Sequence, residues 1–230
     1  MAKRNKLQKF AELSTFPNVY QNYDPKAPQI VDHTAEPVEM KGQWCSKHFK
    51  NDDPLILELA CGKGEYTIGL AERYPDKNFI GLDVKGNRIW KGASMALERG
   101  LDNVAFFRTR IEQISLFFGP SEVQEIWITF PDPFLRKSKS NRRLTSPYFL
   151  RHYRKFLQPD GLVNLKTDSP QLYQFTLETI EEDERCTLLY HEEDIYSKPL
   201  YRPELELKTY YEGMHLAEEK TIKFVQFKIQ

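Results

Sequence analysis

The spacing of apolar and polar positions changes character near residue 54. Before it, prolines at 17, 25, 28 and 37 interrupt the chain and no period is sustained, so residues 1–53 read as a basic, mostly irregular N-terminal arm with a short helix over Leu7–Leu13. After it, short apolar runs alternate with segments of helical period. Leu55–Leu59, Asn78–Val84, Val104–Phe107, Glu125–Thr129 and Leu162–Lys166 read as strands. Glu65–Tyr74, Asn87–Arg99, Ile111–Phe118, Pro147–Leu157 and Gln171–Glu182 read as helices, with Ser146 the N-cap and Pro147 the first residue of the fourth. The run Gln158-Pro159-Asp160-Gly161 reads as a turn. Cys186–Tyr190 and Thr221–Ile229 are expected to pair as an antiparallel addition, with no strong helix between them. Strands separated by helices of this length imply βαβ units, so residues 54–230 are expected to form one α/β domain on a doubly wound, mostly parallel sheet.

Composition narrows the class. With 33 Lys and Arg against 33 Asp and Glu in 230 residues and a mean hydropathy of −0.61, the chain is neither disordered, collagenous nor membrane-spanning in character. No apolar run approaches the roughly 20 residues of a membrane helix, and three scattered cysteines, Cys45, Cys61 and Cys186, make a disulfide framework improbable. A cytoplasmic protein is expected. The neutral total conceals a segregation of charge. Arg136, Lys137, Lys139, Arg142, Arg143, Arg151, Arg154 and Lys155 lie between Pro133 and Pro159 without an intervening acid, and Lys3, Arg4, Lys6 and Lys9 open the chain in the same way. The compensating acids gather between residues 178 and 194. Two basic segments on one face would bind phosphates; the same residues would equally suit a solvated helix face and a tail.

In a doubly wound sheet, ligands bind beyond the C-terminal ends of the strands, which directs attention to Leu57-Glu58-Leu59-Ala60-Cys61-Gly62-Lys63-Gly64-Glu65. Gly62 and Gly64 would let backbone approach a ligand at the start of the following helix. A dinucleotide fingerprint would require a third glycine where Thr67 stands, and Glu58 would repel a pyrophosphate. A cation is welcome there. S-adenosyl-L-methionine has a sulfonium, an ammonium group and no phosphate, so it fits these demands better than NAD or ATP. Asp83 closes the second strand, where a carboxylate can accept both hydroxyls of an adenosine ribose.

The fourth strand runs into Phe130-Pro131-Asp132-Pro133-Phe134. Two prolines restrict the backbone around Asp132 at the end where a methyl acceptor would lie, and the acid-free basic run begins just beyond. A plain turn with Phe134 filling the core would use the same residues.

Taken together, Leu57–Gly64, Gly81-Leu82-Asp83-Val84, Phe130-Pro131-Asp132-Pro133, Arg142-Arg143, Leu165-Lys166-Thr167-Asp168 and Thr209-Tyr210-Tyr211-Glu212 resemble the bacterial tRNA (guanine-N7-)-methyltransferases, in order, over roughly residues 54 to 229. The lead-in Lys6–Phe10 and Phe16-Pro17-Asn18 is similar to that of some members. The resemblance implies a Rossmann-like class I methyltransferase fold with a seven-stranded sheet, S-adenosyl-L-methionine as methyl donor and tRNA as substrate, the target being guanosine 46 of the variable region. It implies cofactor contacts at Glu58, Asp83 and Asp132, with Asp132 also catalytic; Gly62 and Gly64 join them from the loop reading, and Arg110 from its place at the adenine position. Substrate contacts are implied at Arg136, Asp168, Thr209, Tyr210, Tyr211 and Glu212; by their charge, Arg136, Lys137, Lys139, Arg142, Arg143 and the basic arm are expected to grip RNA backbone, for which the planar fork of arginine is suited. The chain departs from the family pattern at Ala60 (first glycine), Phe134 (usual Trp), Arg136 (Lys) and Tyr210 (Lys), and at Arg110, where an acid near the adenine is common.

No metal is expected, since Cys45-Ser46-Lys47-His48 lacks a second ligand pair and His33, His152, His191 and His215 show no ligand spacing. Three other classes carry distinguishing signs. A methyltransferase for protein or a metabolite would show no RNA dependence, a noncatalytic RNA binder would not consume the donor, and a dehydrogenase is opposed by Glu58 and Thr67.

Overall fold

A computed structural model describes residues 4–230; Lys3 of the basic arm lies outside the described residues. The chain divides into two compact units, one ending at Gly119 and the other beginning at Pro120. All seven expected strands are present, and an eighth precedes them.

In the first unit, β1 (Val19–Gln21), β2 (Leu55–Leu59), β3 (Asn78–Asp83) and β4 (Val104–Arg108) lie in the order β1-β4-β3-β2, all parallel. Every residue of β2 and β3 is buried, which is why these strands read as continuous apolar runs rather than alternating ones. β1 is the strand the sequence hides. Three residues between prolines show no period, but Tyr20 pairs with Phe107 in register and so extends the sheet from within the expected arm. Trp44 also belongs to this core, with no exposed surface, an indole N–H donated to the Phe117 carbonyl at 2.9 Å and a ring stacked on Phe118. Residues 4–53 are therefore irregular in part, and they belong to the first unit.

α1 (Lys6–Leu13) opens with a capping box in which Asn5 and Gln8 satisfy each other's backbone N–H groups. It packs on α3 (Gly86–Arg99): Leu13 is fully buried, and the Trp90 indole donates to Glu12 at 2.9 Å. α2 (Glu65–Arg73) follows β2 directly. One aromatic ring organises this region. A Cβ built on Gly64, Gly81 or Gly92 would lie 2.5, 2.8 or 2.6 Å from the Phe106 ring, so three segments close around it only because none carries a side chain there.

In the second unit, β5 (Val123–Thr129) pairs in parallel with β6 (Leu157–Thr167), which pairs antiparallel with β8 (Lys223–Ile229), and that in turn with β7 (Cys186–Glu192). The expected antiparallel addition is thus present. Three expectations change. α4 (Pro147–Tyr153) stops short of Leu157, and the segment expected as a turn enters β6, where Gly161 pairs with Ile229 and Asp160 takes a left-handed φ of 60°. A helix, α6 (Tyr210–Ala217), does lie between β7 and β8, after α5 (Pro170–Glu182). Its buried Glu212, rather than an apolar period, fixes it.

Candidate functional site

The loop joining β2 to α2 is held by two buried carboxylates. Gly64, at φ +71°, is the N-cap of α2 and has no side chain with which to satisfy the helix's first N–H groups. Glu58 supplies the acceptor instead: its Oε2 takes the Thr67 backbone N–H at 2.8 Å and the Thr67 hydroxyl as well. Glu58 is 3% exposed and Thr67 1%. An anion at a helix N-terminus is favoured by the dipole, which helps this acid to stay buried. Thr67, the residue that breaks the dinucleotide pattern, is therefore the partner that orients Glu58. Sequence reasoning missed that role, although its position at the third residue of a helix lacking an N-cap side chain is a readable signal.

Asp83 ties the same loop to the end of β3. Its Oδ2 accepts from Gly62 N–H at 3.0 Å and its Oδ1 from Lys85 N–H at 2.7 Å. A carboxylate has about four lone-pair sites, and these two bonds leave acceptor capacity on each oxygen. Burial raises the Asp83 pKa above the usual aspartate value, partly opposed by those two backbone bonds and by the charges of Arg88 and Lys85. Cys61 lies between the acids: burial first, then the charges of Glu58 and Asp83, push its thiol well above the ordinary range. Both carboxylates thus act on one point.

The two glycines differ in kind. A Cβ on Gly62 would meet nothing within 4 Å, so at φ +58° this residue opens onto space, whereas Gly64 packs against Phe106. Ala60 also sits at φ +58°, a left-handed conformation in a residue with a Cβ. Arg110 is exposed just beyond β4, next to Thr109, whose N–H donates to the Asp83 carbonyl at 3.2 Å. Gly62, Asp83 and Arg110 therefore belong to neighbouring strand ends of the first unit.

In the second unit, the chain leaving β5 is strained. Phe130 and Phe134, on either side of Pro131-Asp132-Pro133, have φ of +48° and +42°. Bulky residues rarely adopt this conformation, and such strain costs of order 1–3 kcal/mol each. It persists because the loop is tied down. Phe130 N–H donates to the Lys166 carbonyl at 2.8 Å, and Arg143 donates to the Pro133 and Phe134 carbonyls at 3.0 and 3.1 Å. Asp132 is exposed on this loop. The basic residues then separate. Arg136, Lys137, Lys139 and Arg142 are exposed on and beside a helical turn, with Arg142 over the Phe134 ring at 5.2 Å. Arg143 is 8% exposed and lies over Phe175 at 4.4 Å. One edge of its guanidinium, Nε and Nη2, faces protein carbonyls rather than solvent.

Glu212 is enclosed more completely. It is fully buried, paired with Lys166 at 2.8 Å, and its Oε1 accepts from the Tyr196 hydroxyl at 2.5 Å. Lys166 also donates to the Leu205 and Leu207 carbonyls at 3.0 Å, and burial, opposed by Glu212, lowers its pKa. A side chain enclosed in this way holds α6 to β6. The Thr209 hydroxyl accepts the Glu212 N–H at 3.1 Å and so caps α6, while Tyr210 and Tyr211 are 56% and 37% exposed. Asp168, at the end of β6, is half-buried and 3.8 Å from Lys220 Nζ. Cys45 and His48 are engaged elsewhere, Cys45 with the Asp53 carbonyl and His48 with the Tyr20 hydroxyl at 2.9 Å.

Comparison with known proteins places this arrangement. A family described as "Putative methyltransferase" matches residues 52–224. A tRNA (guanine-N(7)-)-methyltransferase of Christiangramia forsetii is 46% identical over 100% of both chains, and one of Bacteroides thetaiotaomicron is 46% identical over 98% of this chain and 86% of that one. The chain belongs to this family. Among solved structures, the 16S rRNA methyltransferase KamB aligns with a TM-score of 0.61 at 15% identity, covering 85% of this chain and 96% of that one. A 16S rRNA (adenine(1408)-N(1))-methyltransferase from Catenulisporales acidiphilia, solved with cosubstrate SAM, aligns at 0.56 and 12% identity over 84% and 93%. At such identities these likenesses show the fold alone, which is the α/β methyltransferase fold. In this chain, the Lys166–Glu212 pair accounts by packing for two of the positions on which the resemblance rested.

Proposed function

We propose that this protein methylates guanine N7 in tRNA with S-adenosyl-L-methionine as donor. The reading is carried by the 46% identity that runs the whole length of the chain to a curated tRNA (guanine-N(7)-)-methyltransferase. The first unit supports it chemically. The residues there fit the donor: Asp83 keeps acceptor capacity for ribose hydroxyls, Gly62 opens onto space, and Glu58 and Asp83 make the loop negative, which suits a cation and opposes a phosphate. Arg110, exposed beside them, takes the adenine side in this reading.

Guanine N7 carries an in-plane lone pair and no proton, so its alkylation needs alignment rather than a general base. The donor supplies an electrophilic methyl on a sulfonium, so positive charge passes to the purine. A carboxylate remains favourable to charge in either place. Asp132 is assigned this role on its restrained loop, together with a cofactor contact. Asp132 and Asp168 are both suited to accept from the N1–H and exocyclic N–H of guanine, a donor pattern that adenine lacks. Arg136, with Lys137, Lys139 and Arg142, grips phosphates, and Tyr210, Tyr211 and Thr209 line the substrate side. Guanosine 46 is the proposed target, and the cytoplasm, where tRNA is, the proposed location.

The test is direct. Incubation with labelled donor and unmodified tRNA, followed by mapping of 7-methylguanosine, should place the label at guanosine 46, and a tRNA with adenosine at that position should take none. Label at another guanosine rejects the position; absence of 7-methylguanosine rejects the reaction. Asp132→Ala should lose methyl transfer while donor affinity falls less.

A further inference from the structure

Of the basic residues from 136 to 143, Arg136, Lys137, Lys139 and Arg142 are exposed, whereas Arg143 is buried and bonds to the residue that follows the aspartate assigned to the reaction. Arg143 closes a loop. The chain leaves β5 at Thr129, passes through Phe130–Phe134, makes the helical turn Lys137–Arg142 and returns at residue 143, whose guanidinium reaches back to the carbonyls at the loop's start. Nε serves Pro133 and Nη2 serves Phe134, 3.0 and 3.1 Å away, so the planar fork spans two consecutive peptide units. Its other face rests on the Phe175 ring of α5 at 4.4 Å. The carbonyls it holds belong to the residue after Asp132 and to the left-handed Phe134.

A lysine would supply a point charge without the fork, and an unrestrained loop would relax toward the ordinary φ of phenylalanine. We propose that Arg143 is a positioning residue. It holds Phe134 in its left-handed conformation, thereby setting the direction of Asp132 and presenting Arg136, Lys137, Lys139 and Arg142 outward as one rigid basic turn. The two adjacent arginines then divide their work: Arg142 faces phosphate, and Arg143 faces the loop. This inference rests on the functional reading of Asp132 given above.

The salt dependence of tRNA binding separates the two arginines, because its slope counts the phosphates that are neutralised. In the full-length protein, Arg142→Ala should lower the magnitude of the slope by about one. Arg143→Ala should leave the slope at the wild-type value, while single-turnover methyl transfer at saturating tRNA falls roughly 30-fold, an alignment effect. Affinity for S-adenosylhomocysteine should stay within about twofold, because its proposed contacts lie chiefly in the first unit. Amide exchange at residues 130–136 should quicken in Arg143→Ala. Arg143→Lys should recover less than half of the lost rate, since charge without the fork is not enough. A slope lowered by one in Arg143→Ala, with unchanged exchange in the loop, would make Arg143 a phosphate contact and overturn the proposal; so would an unchanged transfer rate. Should Arg143→Ala not fold, Phe175→Leu, which removes the ring beneath the guanidinium, is expected to show the same loop exchange and the same unaltered slope. The exchange experiment needs no methyl transfer. Quickened loop exchange in a protein that does not methylate tRNA would therefore refute the functional reading while retaining the positioning of the loop.

Discussion

Thr67 offers the sharpest test of how the buried acids are held, because its hydroxyl can be removed without changing its volume much. Thr67→Val leaves the backbone N–H on Glu58 but takes one donor from a carboxylate that is 3% exposed. A loss of about 1–3 kcal/mol is expected, visible as a lowered melting temperature and as weaker S-adenosylhomocysteine binding by calorimetry. Asp83 supplies the pH dependence. Its pKa is raised in the fold, so the buried anion opposes stability once pH rises through that value, and the contribution made by the neutral form is present only below it. Ribose hydroxyls are donors and favour the anion. Ligand affinity should therefore rise with pH through an interval above the normal aspartate range, with proton release, and Asp83→Asn should flatten that profile. Both acids are legible as residues at strand ends. Thr67's place in an uncapped first turn was legible, but not that Glu58 is its acceptor, because that hydrogen bond needs a strand and a helix nine positions apart to be folded together.

Elements show the same division. Gly62 and Gly64 look equivalent in the chain, yet their environments predict different outcomes on substitution. Gly64→Ala combines a left-handed backbone with a Cβ 2.5 Å from Phe106, a cost of about 2–4 kcal/mol. Gly62→Ala meets the backbone strain alone, about 1 kcal/mol, or a melting shift of roughly 2–4 °C. Thermal unfolding of the two variants should differ accordingly, and donor binding should be impaired in Gly62→Ala although the fold survives. Lys166→Met strands Glu212 without its cation, an expected loss of about 3–5 kcal/mol; the added change Glu212→Gln should recover part of it in the same unfolding experiment. Strands and helices with long apolar periods, such as β3 and α3, were legible because burial of a face imposes the period. β1 and α6 were not, since one is three residues long and the other is anchored by an ion pair whose members are 46 positions apart.

For the molecule as a whole, a net charge of zero gives no hint of an RNA partner, and the distribution of charge is what counts. Replacing Arg136, Lys137, Lys139 and Arg142 together by neutral residues should flatten the salt dependence of tRNA binding, by about 0.7–0.9 in slope per contact removed. An unchanged slope would show that these exposed cations do not meet the phosphates. The order of residues alone determined the alternation of strands and helices, the acids at strand ends and the grouping of basic charge, because periodicity and side-chain type are local properties. Only the tertiary structure decided that Arg143 and Glu212 turn inward while Arg142 and Tyr210 remain outside. Burial and hydrogen-bond geometry depend on which distant segments pack together, and two neighbouring arginines of identical chemistry acquire different tasks from the different surfaces they face.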